Sequence, residues 1–476
     1  MAEQSRMSNS TWVLALTSTA NLMVALDAMV VTTALTRIGR EFGASIETLE
    51  WMVNAYTLSF AAFFLMAAAL GDRFGRRLMF VAGLALFVLA SCACALAPSI
   101  GWLIAARAVQ GLGAAIVMPL ALAQIGVAFP PERRGWALGI YSSVAGLSTV
   151  LGPTIGGIVT EGLAWRWIFW MNLPIGLAVA VFAAIRLRET FGPRAPIDLP
   201  GVVLSSAGAL ALAWGLERGN GARWGSAEVV ASLAGGTLLV LAFVLWELRT
   251  AHPMIPMRFF ARRQFAAGNG AMFFLSGTLM AAIFFMAQFL QTVLGLSPLM
   301  TGLGLLPWGA AVVIGGRNAA GVAGRIGDAG TVVLGLLAQA AGLGWIALIA
   351  RPEMAYAAMI VPMMLAGVGF AVAVTSGQKV VVGAVAMPDI GKASGTLGTI
   401  RQLGGAFGVA LAVAVFANAG GYAPAGAFSK GFAAAMAVAA GFSLAGAIAG
   451  TFLFRIAGDR APVIGADALP KTADQS

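Results

Sequence analysis

Two charges set deep in apolar sequence, Asp27 and Arg107, are the residues most able to do chemistry in this chain. Asp27 lies in an apolar stretch of about residues 12–35, and Arg107 in one of about 100–128. An arginine in such a stretch costs about 2.5–3.5 kcal/mol or more unless it is paired or hydrated, so it marks a functional position by default. A lone buried carboxylate is either a proton carrier or the structural partner of a cation. Burial favours the protonated carboxyl, whereas a nearby guanidinium favours the ion. A movement that changed their separation would switch the acid between taking up and releasing a proton. Gln110, one turn beyond Arg107, shares its helix face. If the first stretch runs outward and the fourth inward, Asp27 lies about 12 Å and Arg107 about 10 Å from the same boundary. Two opposite charges are thus expected at one depth.

Two glycine-rich segments could move. In Leu70-Gly71-Asp72-Arg73-Phe74-Gly75-Arg76-Arg77, the glycines permit a tight turn between helices. Asp72 complements the dipole of the following helix, and the arginines can pair with it or with neighbouring helix C-termini. The loop reads either as a topology anchor or as a conformational latch, which makes Gly71, Asp72, Arg73, Gly75, Arg76 and Arg77 gating candidates. Gly152-Pro153-Thr154-Ile155-Gly156-Gly157 combines small residues, which let helices approach, with a proline that bends them. Gly152, Pro153, Gly156 and Gly157 serve either tight packing or gating. Asn54, Gln110, Gln288, Trp308 and Arg401 are candidate substrate contacts. Cys92 and Cys94, two apart, face different directions on a helix, and His252 stands alone. Neither a metal site nor a cofactor is expected.

The elements that must position these residues are membrane-spanning helices. Hydrophobic residues make up 60% of the 476 positions and charged residues 10%, against about 25% charged in a soluble domain. Stretches of about 20 apolar residues, the length that crosses a bilayer, occur fourteen times between about residues 12 and 456. The polar segment Met1–Thr11 lacks a cleavage-site pattern, so the first span is expected to be retained. An even number of spans puts both termini on one side. Twenty basic residues fall in the loops and termini of one side and seven in those of the other, which assigns the termini to the cytoplasm. The net charge of +10 therefore fits membrane topology better than a nucleic-acid partner.

An internal repeat divides the chain. Leu70-Gly71-Asp72 recurs as Ile326-Gly327-Asp328, an offset of 256 residues. The same offset maps Gly111-Leu112-Gly113 onto Gly367-Val368-Gly369, and Gly135-x-Ala137-x-Gly139 onto Gly391-x-Ala393-x-Gly395. The expected architecture is all-α: a six-helix bundle over 12–187, two linking helices over 199–247, and a second six-helix bundle over 265–456. Repeats flanking a central site are a transporter device. An enzyme is not expected, since the chain offers no nucleophile–base pair.

The loop at 70–77 resembles the signature loop of the major facilitator superfamily, the Arg107 segment resembles its second motif, and Gly152–Gly157 resembles its antiporter motif. Together with Leu26-Asp27, the run Trp165–Gly176 and the two extra central spans, they are similar to the fourteen-span drug/proton antiporters of EmrB/QacA type. The resemblance implies a rocker-switch antiporter of the cell membrane, exchanging protons for drugs, dyes or antibiotics. Three departures stand out: Ala68 where the signature loop usually starts with glycine, Asn54 where some exporters of cationic drugs carry an acid, and Arg401 in a span without acids. The last two predict a preference for neutral, zwitterionic or anionic amphiphiles over dications. Export of an endogenous metabolite, siderophore or lipid precursor is the alternative within transport, and a membrane sensor the alternative outside it. A sensor should carry a soluble signalling domain, yet no loop exceeds about 20 residues. The sequence names no accessory periplasmic partner.

Overall fold

A computed structural model describes residues 2–454, except 193–197, 222–224, 252, 254, 386–388 and 422–423. His252 and the basic residues beyond Phe454 lie outside the described residues. The helices are α1 (Ala2–Phe42), α2 (Ile46–Phe74), α3 (Arg76–Ala95), α4 (Ile100–Ala128), α5 (Pro131–Gly162), α6 (Trp167–Trp170), α7 (Asn172–Arg186), α8 (Leu199–Gly221), α9 (Ala227–Arg249), α10 (Arg263–Thr292), α11 (Pro298–Gly304), α12 (Leu306–Ile349), α13 (Ala357–Gly383), α14 (Ile390–Ala419) and α15 (Ala425–Thr451).

Ten stretches among the described residues are long and apolar enough to cross a membrane. One of them, Pro298–Ile349, is two passes, because α12 turns back on itself at Gly327 (φ 75°). Close approaches to α13 show the reversal. Trp308 and Gly315 meet Gly367 and Val368 in rising order, whereas Gly335 and Gly342 meet Gly369 and Pro362 in falling order. With α2, α5 and α8, of similar length, the passes number fourteen. Serine hydroxyls of Ser45, Ser99, Ser226 and Ser297 cap the first turns of α2, α4, α9 and α11, all at the end remote from residues 71–77.

Several elements differ from the sequence reading. Helix α1 continues to Phe42, beyond the apolar limit near residue 35. Helices α6 and α7, separated only at Met171 with its right-handed helical dihedrals, form one pass over Trp167–Arg186. The repeated Gly-Asp motif turns at different glycines: the first copy breaks at Gly75 (φ 110°), and the second at Gly327, the counterpart of Gly71.

Helices α1–α7 and α10–α15 meet most tightly at the end remote from residues 71–77. Met29, Val30, Val31, Leu35 and Ile38 of α1 share one hydrophobic core with Ile283, Ala287 and Leu290 of α10. The core around Phe80, Phe87, Ile116 and Leu120 stays within α1–α7. A Cβ on Gly157 would stand 2.3 Å from the carbonyl oxygen of Pro298, and one on Gly302 2.4 Å from that of Pro153. Here α5 and α11 touch backbone to backbone. Gln291 donates to the Thr33 carbonyl at 2.9 Å, and Glu161 accepts from the Ser297 hydroxyl at 2.5 Å and the Leu299 amide at 2.8 Å. These bonds hold the Glu161 carboxyl, which lies beyond the apolar stretch of α5, below the usual carboxylate range. Helix α8 lies along α2 and α14, with Trp214 against Trp51 at 5.8 Å, and α9 packs on α8.

Candidate functional site

Asp27 and Arg107 meet inside α1–α7. Arg107 Nη1 donates to Asp27 Oδ2 at 2.5 Å, with both side chains 1% exposed. The opposite Oδ1 accepts from Gln110 Nε2 at 2.9 Å and Asn172 Nδ2 at 2.7 Å. Gln110 turns its oxygen back to Arg107 Nη1 at 2.8 Å, so one amide bridges both charges. Asn172 also donates to Ser91 Oγ at 3.0 Å, and Ser91 donates to the Phe169 carbonyl at 2.9 Å. The guanidinium lies 4.2 Å from the centroid of the Tyr56 ring, the face a cation seeks. Arg107 Nε has no hydrogen-bond partner among the described residues.

Five passes therefore build one cage. Asp27 and Arg107 come together because α1 and α4 run in opposite directions and place them at matching distances from one end. Gln110 follows from the helical period. Asn172, the first residue of α7, is buried with its side chain on Asp27. Asn172 and Ser91 were absent from the candidate list. Their signal in the sequence was weak, being neutral polar side chains among apolar neighbours.

Glu50, near the start of α2, is 1% exposed and accepts from Asn54 Nδ2 at 2.8 Å. Asp27 is thus not alone as a buried acid near the membrane interior. The loop candidates also find partners. Arg76 binds Asp72 at 2.7 Å, and Arg77 reaches Glu189 at 3.6 Å and the carbonyls of Ala184 and Leu187 at 3.4 Å. Glu189, missed in the sequence reading, caps α3 by accepting from the amides of Arg77 and Leu78. Arg73 is exposed beside Phe74. Among the described residues, no ion pair from 71–77 reaches α10–α15.

On α5, a Cβ on Gly152 would lie 2.4 Å from Met29 Cβ, and one on Gly156 2.4 Å from Thr33 Oγ1 and 2.7 Å from the Val30 carbonyl. The glycines thus bring α5 against the helix that carries Asp27. Of the expected substrate contacts, Asn54, Gln110, Gln288 and Trp308 are buried. Gln288 donates to Phe284 in its own helix, and Trp308 packs against Gly367. Arg401 alone of the five is half-exposed, with Nε donating to Ser276 Oγ at 3.3 Å.

Fourteen passes around a buried ionic cage, with two groups of helices joined tightly at one end, define a multi-pass membrane transporter. The model of the Major Facilitator Superfamily matches residues 17–409, and the chain belongs to that superfamily. It is 38% identical over 421 residues to the cephamycin export protein CmcT of Amycolatopsis lactamdurans, covering 86% of each chain. It is 34% identical over 393 residues to the tetracenomycin C resistance and export protein of Streptomyces glaucescens, covering 82% of this chain and 73% of that one. A crystal structure of the peptide transporter POT in complex with sulfate shares the fold, with a TM-score of 0.66 and 15% identity over 93% of this chain and 95% of that one.

Proposed function

We propose that this chain is a proton-coupled antiporter that exports small amphipathic compounds of the drug or antibiotic kind by alternating access. In this reading it divides into two six-helix bundles with two linking helices, and its termini lie in the cytoplasm. The relatives named for export of cephamycin and tetracenomycin C support the substrate kind. The observation that carries the coupling is the Asp27 cage.

Three donors satisfy the Asp27 carboxylate. Protonation removes the negative charge that holds the guanidinium and so weakens the bond to Arg107. The freed guanidinium keeps two supports, the Gln110 oxygen and the Tyr56 ring, so it need not stand unpartnered in apolar surroundings. Proton uptake therefore loosens α1 from α4. Two to six residues further along α1, Met29, Val30 and Thr33 seat against Gly152 and Gly156 of α5, whose next residue, Gly157, meets α11. A shift of α1 is transmitted to the contact between the two bundles.

The test uses proteoliposomes with an imposed pH gradient and a panel of amphipathic dyes and antibiotics. Wild type should accumulate compound against its gradient, while Asp27→Asn should retain only downhill flux or exchange. Uphill pumping by Asp27→Asn at the wild-type level would overturn the proton-carrier role.

A further inference from the structure

Arg401 lies eleven residues into α14 and Ser276 thirteen residues into α10, both counted from the same end of the bundle. At 1.5 Å per residue this is roughly 17–20 Å deep, the middle of a hydrocarbon core about 30 Å thick. On α14, Arg401 shares a stripe with Gly398 and Gly405, three and four residues away. A Cβ on Gly398 would contact Phe64 of α2 at 3.2 Å, and one on Gly405 would meet Met280 of α10 at 3.0 Å and Thr57 of α2 at 3.9 Å. The arginine thus faces the seam between the two groups of helices.

Its chemistry at that place is unfinished. The guanidinium offers five N–H donors, and one hydrogen bond, from Nε to Ser276, is seen among the described residues. No carboxylate comes within ion-pair distance of it among those residues. Arg107, the other mid-span arginine, has an aspartate, an amide and an aromatic ring around it. A cation at mid-membrane depth normally has such partners. Arg401 is partly exposed, in contrast to the fully buried Arg107.

We infer that Arg401, oriented by Ser276, binds the carboxylate or another planar anionic group of the exported compound. The planar fork matches a carboxylate bidentately, which a lysine cannot do. Ser276 fixes the guanidinium plane by holding Nε, leaving the two Nη groups forward. The inference rests on the exporter reading for its biological meaning, and its binding test stands apart from transport.

A naphthyl-alkanoic acid and its methyl ester have nearly the same shape and differ in charge. Purified wild-type protein should bind the acid at least tenfold tighter than the ester, the amount a charged hydrogen bond contributes. Arg401→Gln should erase that difference, Arg401→Lys should restore part of it, and Ser276→Ala should reduce it. Equal affinity of wild type for acid and ester, or an undiminished preference in folded Arg401→Gln, would overturn the inference. In gradient-driven proteoliposomes, Arg401→Gln should raise KM for the acid far more than for the ester. Should binding discriminate while wild type pumps neither compound nor any of the panel, the exporter reading falls and the anion site stands.

Discussion

The two stretches related by the 256-residue offset carry different chemistry. Shifted by 256 residues, the cage residues Asp27, Tyr56, Ser91, Arg107, Gln110 and Asn172 become Ile283, Val312, Ala347, Met363, Ala366 and Phe428. All six counterparts belong to, or pack against, a single hydrophobic core. One copy holds a buried ionic network at the place where the other holds aliphatic and aromatic packing. Matched positions thus carry either solution. The polar set satisfies most of its own donors and acceptors, Arg107 Nε excepted among the described residues, and the apolar set needs none.

The sharpest way to break this comparison is to alter matched positions. Arg107→Ala strands the Asp27 carboxylate and should cost about 3–5 kcal/mol of stability, read as a lower melting temperature in detergent, with coupled transport lost. The matched Met363→Leu should cost under about 1.5 kcal/mol and leave coupling intact. Similar losses from both would mean that the cage is mere packing.

A second pair contrasts glycines. Gly156→Leu forces a side chain into Thr33 and Val30, an overpacking of about 1–3 kcal/mol, and transport should fall while membrane insertion survives. Gly316, with open space where a Cβ would be, should accept leucine with normal transport. If Gly156→Leu transported every compound normally, close packing of α1 on α5 would have no part in the cycle.

A smaller effect is expected inside the cage. Asn172→Ala removes one hydrogen bond to a charge, about 1.5 kcal/mol, and should slow coupled transport roughly tenfold with uphill pumping retained. The control is Phe428→Leu, which should leave the pumping rate unchanged. The smallest effect belongs to Asp72→Asn, which breaks a half-exposed i,i+4 pair of about 0.3–0.5 kcal/mol. It should slow transport about twofold, and full rates would reduce the loop to a topology signal.

What the sequence disclosed depended on how strongly a residue type violates its surroundings. Apolar length revealed the fourteen passes, and two charges in apolar sequence revealed Asp27 and Arg107, because both departures are costly enough to be deliberate. Their common depth followed from counting along antiparallel helices. Asn172 and Ser91 stayed hidden, since a neutral amide or hydroxyl can be satisfied by its own helix and gives no sign of a distant partner. Glu189 was obscured by the arginines around it, and only the fold carries it back to the amides of Arg77 and Leu78. The turn position in the second repeat was equally illegible, because both copies contain several glycines and local propensity does not choose among them. Asn54 and Gln288 looked like substrate contacts for the converse reason. Each is polar within a span, yet each bonds within its own helix.

At the meeting of α5 and α11 two glycines, Gly157 and Gly302, each lie against the other helix's proline carbonyl. Beside this backbone contact, Glu161 accepts from Ser297 and Leu299 at the start of α11, so the joint combines short-ranged dispersion with two hydrogen bonds to one carboxylate. A gap of about 0.5–1 Å already forfeits roughly a quarter to a half of the dispersion and stretches both hydrogen bonds, so the joint should behave as a snap fastener rather than a spring. Partial opening would have lost much of the attraction while gaining little passage. The barrier to opening therefore sits very near the closed geometry, and intermediate gaps should be scarcely populated. Distance measurements between labels on α5 and α11 should then show two separate peaks, with conditions changing their relative heights and not their positions.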